Sequence, residues 1–253
     1  MVKKITSKKF KRKTIRKSLK IKKRTGGNLY LNQLKFNSFV KPVIYTFWTG
    51  YNRMSKQRQK CLNSIFMNTE CHVLLITPDN LNNFILKDHP LHKSYPYLSL
   101  THKADFLRTY FMNFHGGGYT DIKQTNCSWI NCFDQLNRNT NIWGIGYPEV
   151  EGFVGYQPVS NNWRDIVGNC AYIFKPNTPF TNEWYNEMIK LLDRKYHLLK
   201  KNPAKYPQDK AENNTGYPIE WNEMLGRIFH KYNYKYKDYI TNTLPKPIGK
   251  NYR

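Results

Sequence analysis

Four charged residues near the middle of the chain have types and spacing that could bring two carboxylates and two cations into one crevice. Asp105, Arg108, Asp121 and Lys123 all lie in the stretch KADFLRTYFMNFHGGGYTDIK, residues 103–123. Carboxylates accept hydrogen bonds, and cationic side chains bind anionic groups. A simpler interpretation is a surface Asp–Arg pair beside a glycine turn that ends a helix. The spacing of the residues alone favours this simpler interpretation.

A helix and a strand are needed to position these residues. An apolar stripe at helical spacing predicts a helix over Thr101–His115. Its members are Ala104, Leu107, Phe111 and Phe114. Asp105 and Arg108, three residues apart, share a different face. The glycines at 116–118 permit positive φ and a close approach of backbone to ligand. They lead into a strand that ends near Asp121. If the helix packs on that strand, the charged residues converge on one crevice.

The rest of the chain alternates between strand-like and helix-like segments. Strands are predicted at Val43–Trp48 and in CHVLLITPDNL, NIWGIGYPE and NCAYIFKP; helices are predicted at Ser55–Asn68, Leu81–Leu86, from Pro179 after a Thr178 cap, and in GYPIEWNEMLGRIFHKY. This order predicts an α/β fold with a mixed, mainly parallel sheet. In such folds the ligand crevice lies at the carboxyl ends of the strands.

Composition predicts one folded, intracellular domain. Of the 253 residues, 40% are hydrophobic and 15% aromatic, which favours a packed core over disorder. We expect no transmembrane segment and no signal peptide, because no apolar run is long enough and the N-terminus is basic. The five cysteines are an odd, widely spaced set, so reduced thiols are predicted rather than disulfides or structural zinc.

The net charge of +24 is concentrated at the N-terminus. Residues 1–24 contain 13 Lys or Arg and no acid. We therefore predict a disordered basic arm over residues 1–26, followed by a single domain over residues 27–253. Residues 3–24 would suit nucleic acid or an anionic membrane surface as partners. Similar arms occur on proteins of large DNA viruses. The predicted location is cytoplasmic, with membrane association, nuclear targeting or virion packaging left open. A solubilising tail with no specific partner is the simpler alternative.

The charged stretch resembles the signature of DXD-type glycosyltransferases of the family 32 and capsular polysaccharide synthesis kind. That signature is roughly S/A-D-x-x-R-Y, a gap, then G-G-x-Y-x-D-x-D, and the matching segments here are ADFLRTY and GGYTDIK. The segment IYTFWTG resembles the first strand of that family. NTGYPIEW is faintly similar to its Thr-Gly-Pro segment. The match is specific over about twenty residues and thin beyond residue 125.

The resemblance implies a GT-A fold and a hexosyltransferase that uses a nucleotide-sugar donor and retains its anomeric configuration. Arg108 would contact the donor phosphate or sugar, Asp105 a sugar hydroxyl, and Asp121 ribose or sugar hydroxyls. Trp48 would line the base pocket, although it is equally suited to the core. The substrate-binding residues predicted on this basis are Trp48, Thr49, Gly50, Gly117, Gly118, Tyr119 and Glu220. The acceptor would be a glycan or a protein hydroxyl.

Lys123 departs from the signature, because it stands where the second Asp ligates a divalent cation, Mn²⁺ or Mg²⁺. An ammonium group cannot ligate a metal. In one hypothesis, which we favour, Lys123 itself neutralises the leaving diphosphate and no metal is used. In a second, Asp121 binds metal with help from Glu220, Glu223 or His230. In a third, the site is degenerate and inactive.

Other side chains carry weaker signals, and the charge of the chain also suits one other class of protein. His102, His115 and His230 could each act as a base, but a structural role is favoured for all three. Trp221 could contact the sugar or belong to the core, and the core is favoured. Glu149 and Glu151 are candidates for acceptor binding. The rival class is a nucleic-acid-binding protein built on an inactive glycosyltransferase-like domain, favoured by the net charge and by the Lys/Tyr-rich segment 231–239. Residues 27–253 carry no recognised nucleic-acid motif.

Overall fold

A computed structural model describes residues 39–206 and 216–250. The strands are β1 (Val43–Phe47), β2 (His72–Ile76), β3 (Gly117–Thr120), β4 (Gly144–Pro148), β5 (Val167–Phe174) and β6 (Ile240–Thr241). The α-helices are α1 (Lys56–Asn68), α2 (Leu100–Phe114), α3 (Ile130–Arg138), α4 (Pro179–Lys201) and α5 (Gly226–Lys235). The predicted basic arm, residues 1–26, lies outside the described residues.

These strands form one six-stranded sheet in the order β2-β1-β3-β5-β4-β6. The pairs β1–β2, β1–β3 and β4–β6 are parallel, whereas β5 is antiparallel to both β3 and β4. The predicted α/β class with a mixed, mainly parallel sheet is therefore confirmed. In the β1–β3 register Tyr45 lies opposite Tyr119. Both strands consequently end at the same edge, and the start of β5 meets them there.

Helix α2 has most of its length buried. It begins at a Ser99 cap, whose side chain accepts a hydrogen bond from the His102 backbone N–H, and it packs against β1, β3 and α4. An apolar stripe alone would need only one buried face. Burial on further faces brings Asp105 and Arg108, at 3% and 6% exposure, inside the protein. The simpler prediction of a surface Asp–Arg pair is therefore wrong.

Other boundaries follow the sequence prediction with instructive differences. Helix α4 begins at Pro179 behind a Thr178 capping box, as predicted. The helix predicted at Leu81–Leu86 is a single 3-10 segment, Leu81–Phe84, because the backbone is already extended at Ile85. The sequence prediction did not include helix α3, the 3-10 segment Gln157–Asp165 or the short strand β6. The last predicted helix starts only at Gly226.

Every helix within residues 39–206 and 216–250 is too short or too polar to cross a lipid bilayer.

Candidate active site

The candidate site lies at the edge where β1 and β3 end. Trp48 directly follows β1, and Asp121 directly follows β3. The Asp121 backbone N–H donates to the carbonyl oxygen of Cys170 at 2.8 Å, which ties the end of β3 to the beginning of β5. Parallel strands place their carboxyl ends together, so this edge gathers side chains that are far apart in sequence.

Arg108 joins the two carboxylates of the charged stretch. Its Nη2 lies 3.2 Å from Asp105 Oδ1 and 3.3 Å from Asp121 Oδ1. Its guanidinium stands 4.3 Å above the ring of Tyr119, whose hydroxyl donates to Asp121 Oδ1 at 2.6 Å. Nη1 donates to the carbonyl oxygen of Asn169 at 3.0 Å. The predicted convergence of Asp105, Arg108 and Asp121 is confirmed, and the guanidinium is fixed on several sides.

Lys123 completes this cluster from the turn after β3. The Lys123 backbone N–H donates to the Asp121 carbonyl oxygen at 2.7 Å, which bends the chain back. As a result Nζ lies 2.9 Å from Asp121 Oδ2 and 2.8 Å from Cys170 Sγ. The ammonium group thus occupies the space directly beside the second oxygen of Asp121.

The pKa values of Asp121 and Asp105 are shifted in opposite directions. Burial would raise the pKa of Asp121, but the positive charges of Lys123 and Arg108 and the hydrogen bond from Tyr119 together hold it below its usual value. Burial would lower the pKa of Lys123, and Asp121 raises it above the ordinary range. For Asp105, burial outweighs Arg108, and its pKa rises to about 7. Near neutral pH the cluster therefore holds an ionised Asp121, two cations and an Asp105 that can exchange a proton.

Two cavities meet at this cluster. The first has a volume of about 340 Å³ and is lined by Trp48, Thr49, Gly50, Arg58, Arg108 and Asp121 together with other residues. The second has a volume of about 420 Å³ and contains Asp105, Lys123, Asn169, Cys170 and the loop 152–155. Thr101, Arg108, Asp121 and Trp221 line both. Both volumes fall within the range of small-molecule sites.

The predicted substrate residues after β1 lie in the first cavity. Trp48 Nε1 donates to the Asn52 carbonyl oxygen at 2.7 Å, and the Thr49 hydroxyl donates to the Leu100 carbonyl oxygen at 2.6 Å. Tyr119 also lines this cavity from beneath Arg108. A Cβ on Gly50 would approach the Asn52 side chain to 2.3 Å, so a larger residue there would displace that side chain.

Gly117, Gly118 and Glu220 lie elsewhere. Both glycines are buried inside β3, and neither is among the residues that line the two cavities. A Cβ on Gly117 would stand 2.9 Å from the Val43 carbonyl oxygen, so packing against β1 accounts for this glycine. Glu220 forms a salt bridge with Arg227 and does not line either cavity.

The three histidines and Glu149 take structural positions, whereas Glu151 and Trp221 are exposed. His102 is fully buried, its Nδ1 lies 2.8 Å from the Tyr217 hydroxyl, and burial lowers its pKa to about 4. His115 Nε2 contacts the Phe84 carbonyl oxygen at 2.8 Å. His230 Nε2 lies 3.2 Å from Glu149 Oε2, with the two side chains 0% and 5% exposed. Glu151 is exposed, and Trp221, predicted to be core, is 53% exposed.

Comparison with known proteins decides the family. The family of capsular polysaccharide synthesis proteins matches residues 2–137, more than half of the chain. The chain belongs to this family. No curated protein matches it. Among solved structures it is similar to the PaToxG glycosyltransferase, with 14% identity, a TM-score of 0.44, and coverage of 78% of this chain and 69% of that chain.

The residues around Asp121 in this capsular polysaccharide synthesis family member do not fit a divalent cation. Both oxygens of Asp121 face donors, Tyr119 and Arg108 on Oδ1 and Lys123 on Oδ2. Glu223 Oε2 is held by Lys195 at 2.6 Å, and His230 is buried against Glu149. Across the described ranges, no three His, Cys, Asp or Glu side chains are grouped as metal ligands require.

Sequence reasoning missed two residues at the site of this family member. Arg58, in the first turns of α1, lines the first cavity, and its Nη1 donates to the Ile122 carbonyl oxygen at 2.8 Å. Cys170 contacts Lys123 from β5. A basic residue just after the Ser55 cap was a visible signal for Arg58. No local signal pointed to Cys170, because its position depends on the pairing of β5 with β3.

Proposed function

We propose that the protein is a glycosyltransferase that moves a hexose from a nucleoside diphosphate sugar to a hydroxyl group and carries the leaving diphosphate on Lys123 and Arg108. The observation behind this proposal is the cluster of Asp121, Lys123 and Arg108 at the point where two cavities meet. Membership of a family named for polysaccharide synthesis supports the reaction class.

In this proposal the first cavity holds the donor. Trp48 offers an aromatic wall to the base, and Arg58 offers positive charge on the lining of the same cavity. The diphosphate would then lie where the first cavity opens into the second, between Arg108 and Lys123, and the sugar would lie beside Asp121. Asp121, ionised and held by three donors, accepts from ribose or sugar hydroxyls.

The chemical step breaks the bond between the anomeric carbon and the diphosphate oxygen and forms a bond from that carbon to the acceptor oxygen. The acceptor proton passes to the departing diphosphate, and the configuration is retained, as the resemblance to family 32 implies. Negative charge grows on the diphosphate as the bond breaks. Fixed cations beside it stabilise that charge without reorganisation, which favours the transition state over the ground state. Lys123 and Arg108 supply those cations.

The test is a thermal-shift screen of uridine and guanosine diphosphate sugars, each with EDTA and with Mn²⁺. Because a ligand that binds only the folded state raises its melting temperature, the correct donor is expected to do so in EDTA. Donor turnover in the presence of EDTA should accompany binding. A protein that binds none of these nucleotides would lack the proposed function. A protein that binds and turns over donor only with Mn²⁺ would keep the transferase proposal and lose the role of Lys123.

A further inference from the structure

Helix α1 presents one side to solvent, and that side combines positive charge with large apolar groups. Six exposed residues fall within about a third of the circumference of the helix. They are Lys56, Gln59, Lys60, Asn63, Phe66 and Met67, here called the α1 face. Met67 is 78% exposed and Phe66 is 46% exposed. Large apolar side chains that stay in water on one face commonly mark an interaction surface.

The stability of the helix does not explain the cations of the α1 face. Lys56 is the first residue of α1, Lys60 lies one turn further on, and the first turn contains no acid. Positive charge near a helix N-terminus opposes the helix dipole, and like charges four residues apart repel each other. Neither lysine forms a salt bridge within the described residues. The first acid of the whole chain is Glu70, so no acidic neighbour in sequence offsets these charges before the helix ends.

The packing of the helix does not explain Phe66 and Met67 either. Helix α1 packs on β2, and its buried residues are Cys61, Leu62 and Ile65. Since that side is closed by the protein, only the α1 face is open to a partner. The α1 face therefore offers positive charge and apolar surface together.

A bilayer that contains anionic lipids has the complementary chemistry. It carries negative headgroups at its surface and an apolar layer of acyl chains directly beneath. Lysines gain from the headgroups, and partly exposed apolar side chains gain by leaving water for the acyl boundary. Duplex nucleic acid would satisfy Lys56 and Lys60, but its outer surface of phosphate and sugar has no such layer for Phe66 and Met67.

We propose that the α1 face docks on the surface of an anionic lipid bilayer, with Lys56 and Lys60 at the headgroups and Phe66 and Met67 at the acyl boundary. This surface belongs to the folded domain and is separate from the basic arm. Arg58, on the same helix, lines the first cavity, so docking would hold that cavity close to the bilayer. The inference goes beyond the proposed function and does not depend on it.

Vesicle sedimentation with the full chain tests the role of charge. The vesicles are phosphatidylcholine alone or phosphatidylcholine with about 30% phosphatidylserine, and only the second kind should bind strongly. Changing Lys56→Gln and Lys60→Gln together should weaken that binding about tenfold or more. The control changes Lys200→Gln and Lys201→Gln at the exposed end of α4, which removes the same charge and keeps the basic arm. It should weaken binding less than about threefold, because charge away from the bilayer is screened.

A second measurement tests the apolar contact. In about 0.5 M NaCl, where the attraction of the arm is screened, Met67→Ser should lower the remaining vesicle binding about threefold or more. Leu198→Ser removes another exposed aliphatic side chain, 52% exposed on α4, and should have no such effect. Melting temperatures of all four proteins should match that of the wild type, because every substituted position is exposed.

Three results would overturn the inference. One is an equal loss of binding in the α1 and α4 lysine variants, since net charge alone would then attract the vesicles. Another is equal vesicle binding by Met67→Ser and wild type in high salt. The third is a loss of duplex DNA binding, without loss of vesicle binding, in the Lys56 and Lys60 variant, which would make the α1 face a nucleic-acid surface. Failure to bind any nucleotide sugar would overturn the proposed function and leave this inference standing.

Discussion

The Lys123 ammonium nitrogen lies 2.9 Å from Asp121 Oδ2, on a residue only two positions further along the chain. Cys170 Sγ contacts the same nitrogen at 2.8 Å. The Lys123 ammonium group thus provides a fixed positive charge beside the ionised carboxylate, whether or not a metal ion is bound. Diphosphate binding at this position would depend on the protonation of a lysine whose pKa is raised, so it would persist across the physiological pH range.

Replacement of Lys123 tests whether its charge acts in catalysis. Lys123→Met should lower kcat about a hundredfold or more, because one preorganised charge at the leaving group is lost. Lys123→Arg should retain more activity than Lys123→Met, since it keeps the charge. Donor turnover in EDTA is the measurement, and Lys200→Met, at an exposed position near the end of α4, is the control. Equal activity of Lys123→Met and wild type would contradict the proposed role.

The raised pKa of Asp105 predicts that the stability of the folded protein depends on pH. The pKa of this buried carboxyl is about 7 in the folded protein, against 3.8 as its ordinary value. Between about pH 4 and 7 the folded state keeps a proton that the unfolded state has lost, so stability falls as pH rises. Asp105→Asn cannot lose that proton. As pH rises through this range, the free energy of unfolding of the wild type should therefore fall relative to that of the variant, by at most about 1.4 kcal/mol per pH unit. Chemical denaturation at several pH values measures it, and parallel curves would refute it.

Arg58 should contribute to donor affinity more than to turnover. Its guanidinium lines the first cavity and is fixed by the Ile122 carbonyl oxygen. Arg58→Gln is expected to raise donor Kd about tenfold, equivalent to about 1.4 kcal/mol, since a charge-assisted contact with phosphate is removed. Titration calorimetry with the donor measures the change. Lys60→Gln, exposed on the same helix, removes an equal charge outside the cavity and should leave Kd unchanged. Equal effects of both variants would reduce Arg58 to a general electrostatic contribution.

Gly117 should matter for folding and not for ligand contact. It has a φ of +96°, and a Cβ there would stand 2.9 Å from the Val43 carbonyl oxygen. Gly117→Ala is expected to lower the free energy of unfolding by about 1–3 kcal/mol through strain and overpacking. Gly249→Ala, where nothing lies within 4 Å of the added Cβ, should have little effect. Urea denaturation decides between them. A stable Gly117→Ala protein with lost donor binding would restore the predicted ligand role of this glycine.

The basic arm provides a separate test of the polyanion hypothesis. Removal of residues 1–26, which carry most of the excess positive charge, should weaken binding to duplex DNA and reduce its dependence on salt concentration. Donor-induced thermal stabilisation should persist in the truncated protein. Electrophoretic mobility shifts at two salt concentrations and a thermal-shift assay measure the two properties. DNA binding that is unchanged by the deletion would place the polyanion surface within residues 27–253.

The charged stretch shows how far local spacing determines a site. Asp105 and Arg108 lie three residues apart on a helix, and Asp121 follows a strand that begins just after that helix ends. These short separations fix the relative positions of the three residues once α2 packs on β3, so their convergence was predictable. The positions of Trp48 and Thr49 were predictable for a related reason, since the carboxyl ends of parallel strands meet at one edge.

Tertiary structure alone decided what surrounds that stretch. Cys170 reaches Lys123 because β5 runs antiparallel to β3, and the second cavity forms because the loop with Phe153 and the segment with Trp221 meet near Asp121. The chain order does not state which strands pair or in which direction. Hydrophobic periodicity specifies the buried face of each element, while the partner of that face is chosen by the packing of the whole chain. The sequence alone therefore determined the charged residues of the site, and the fold determined their neighbours and the shape of the cavity beside them.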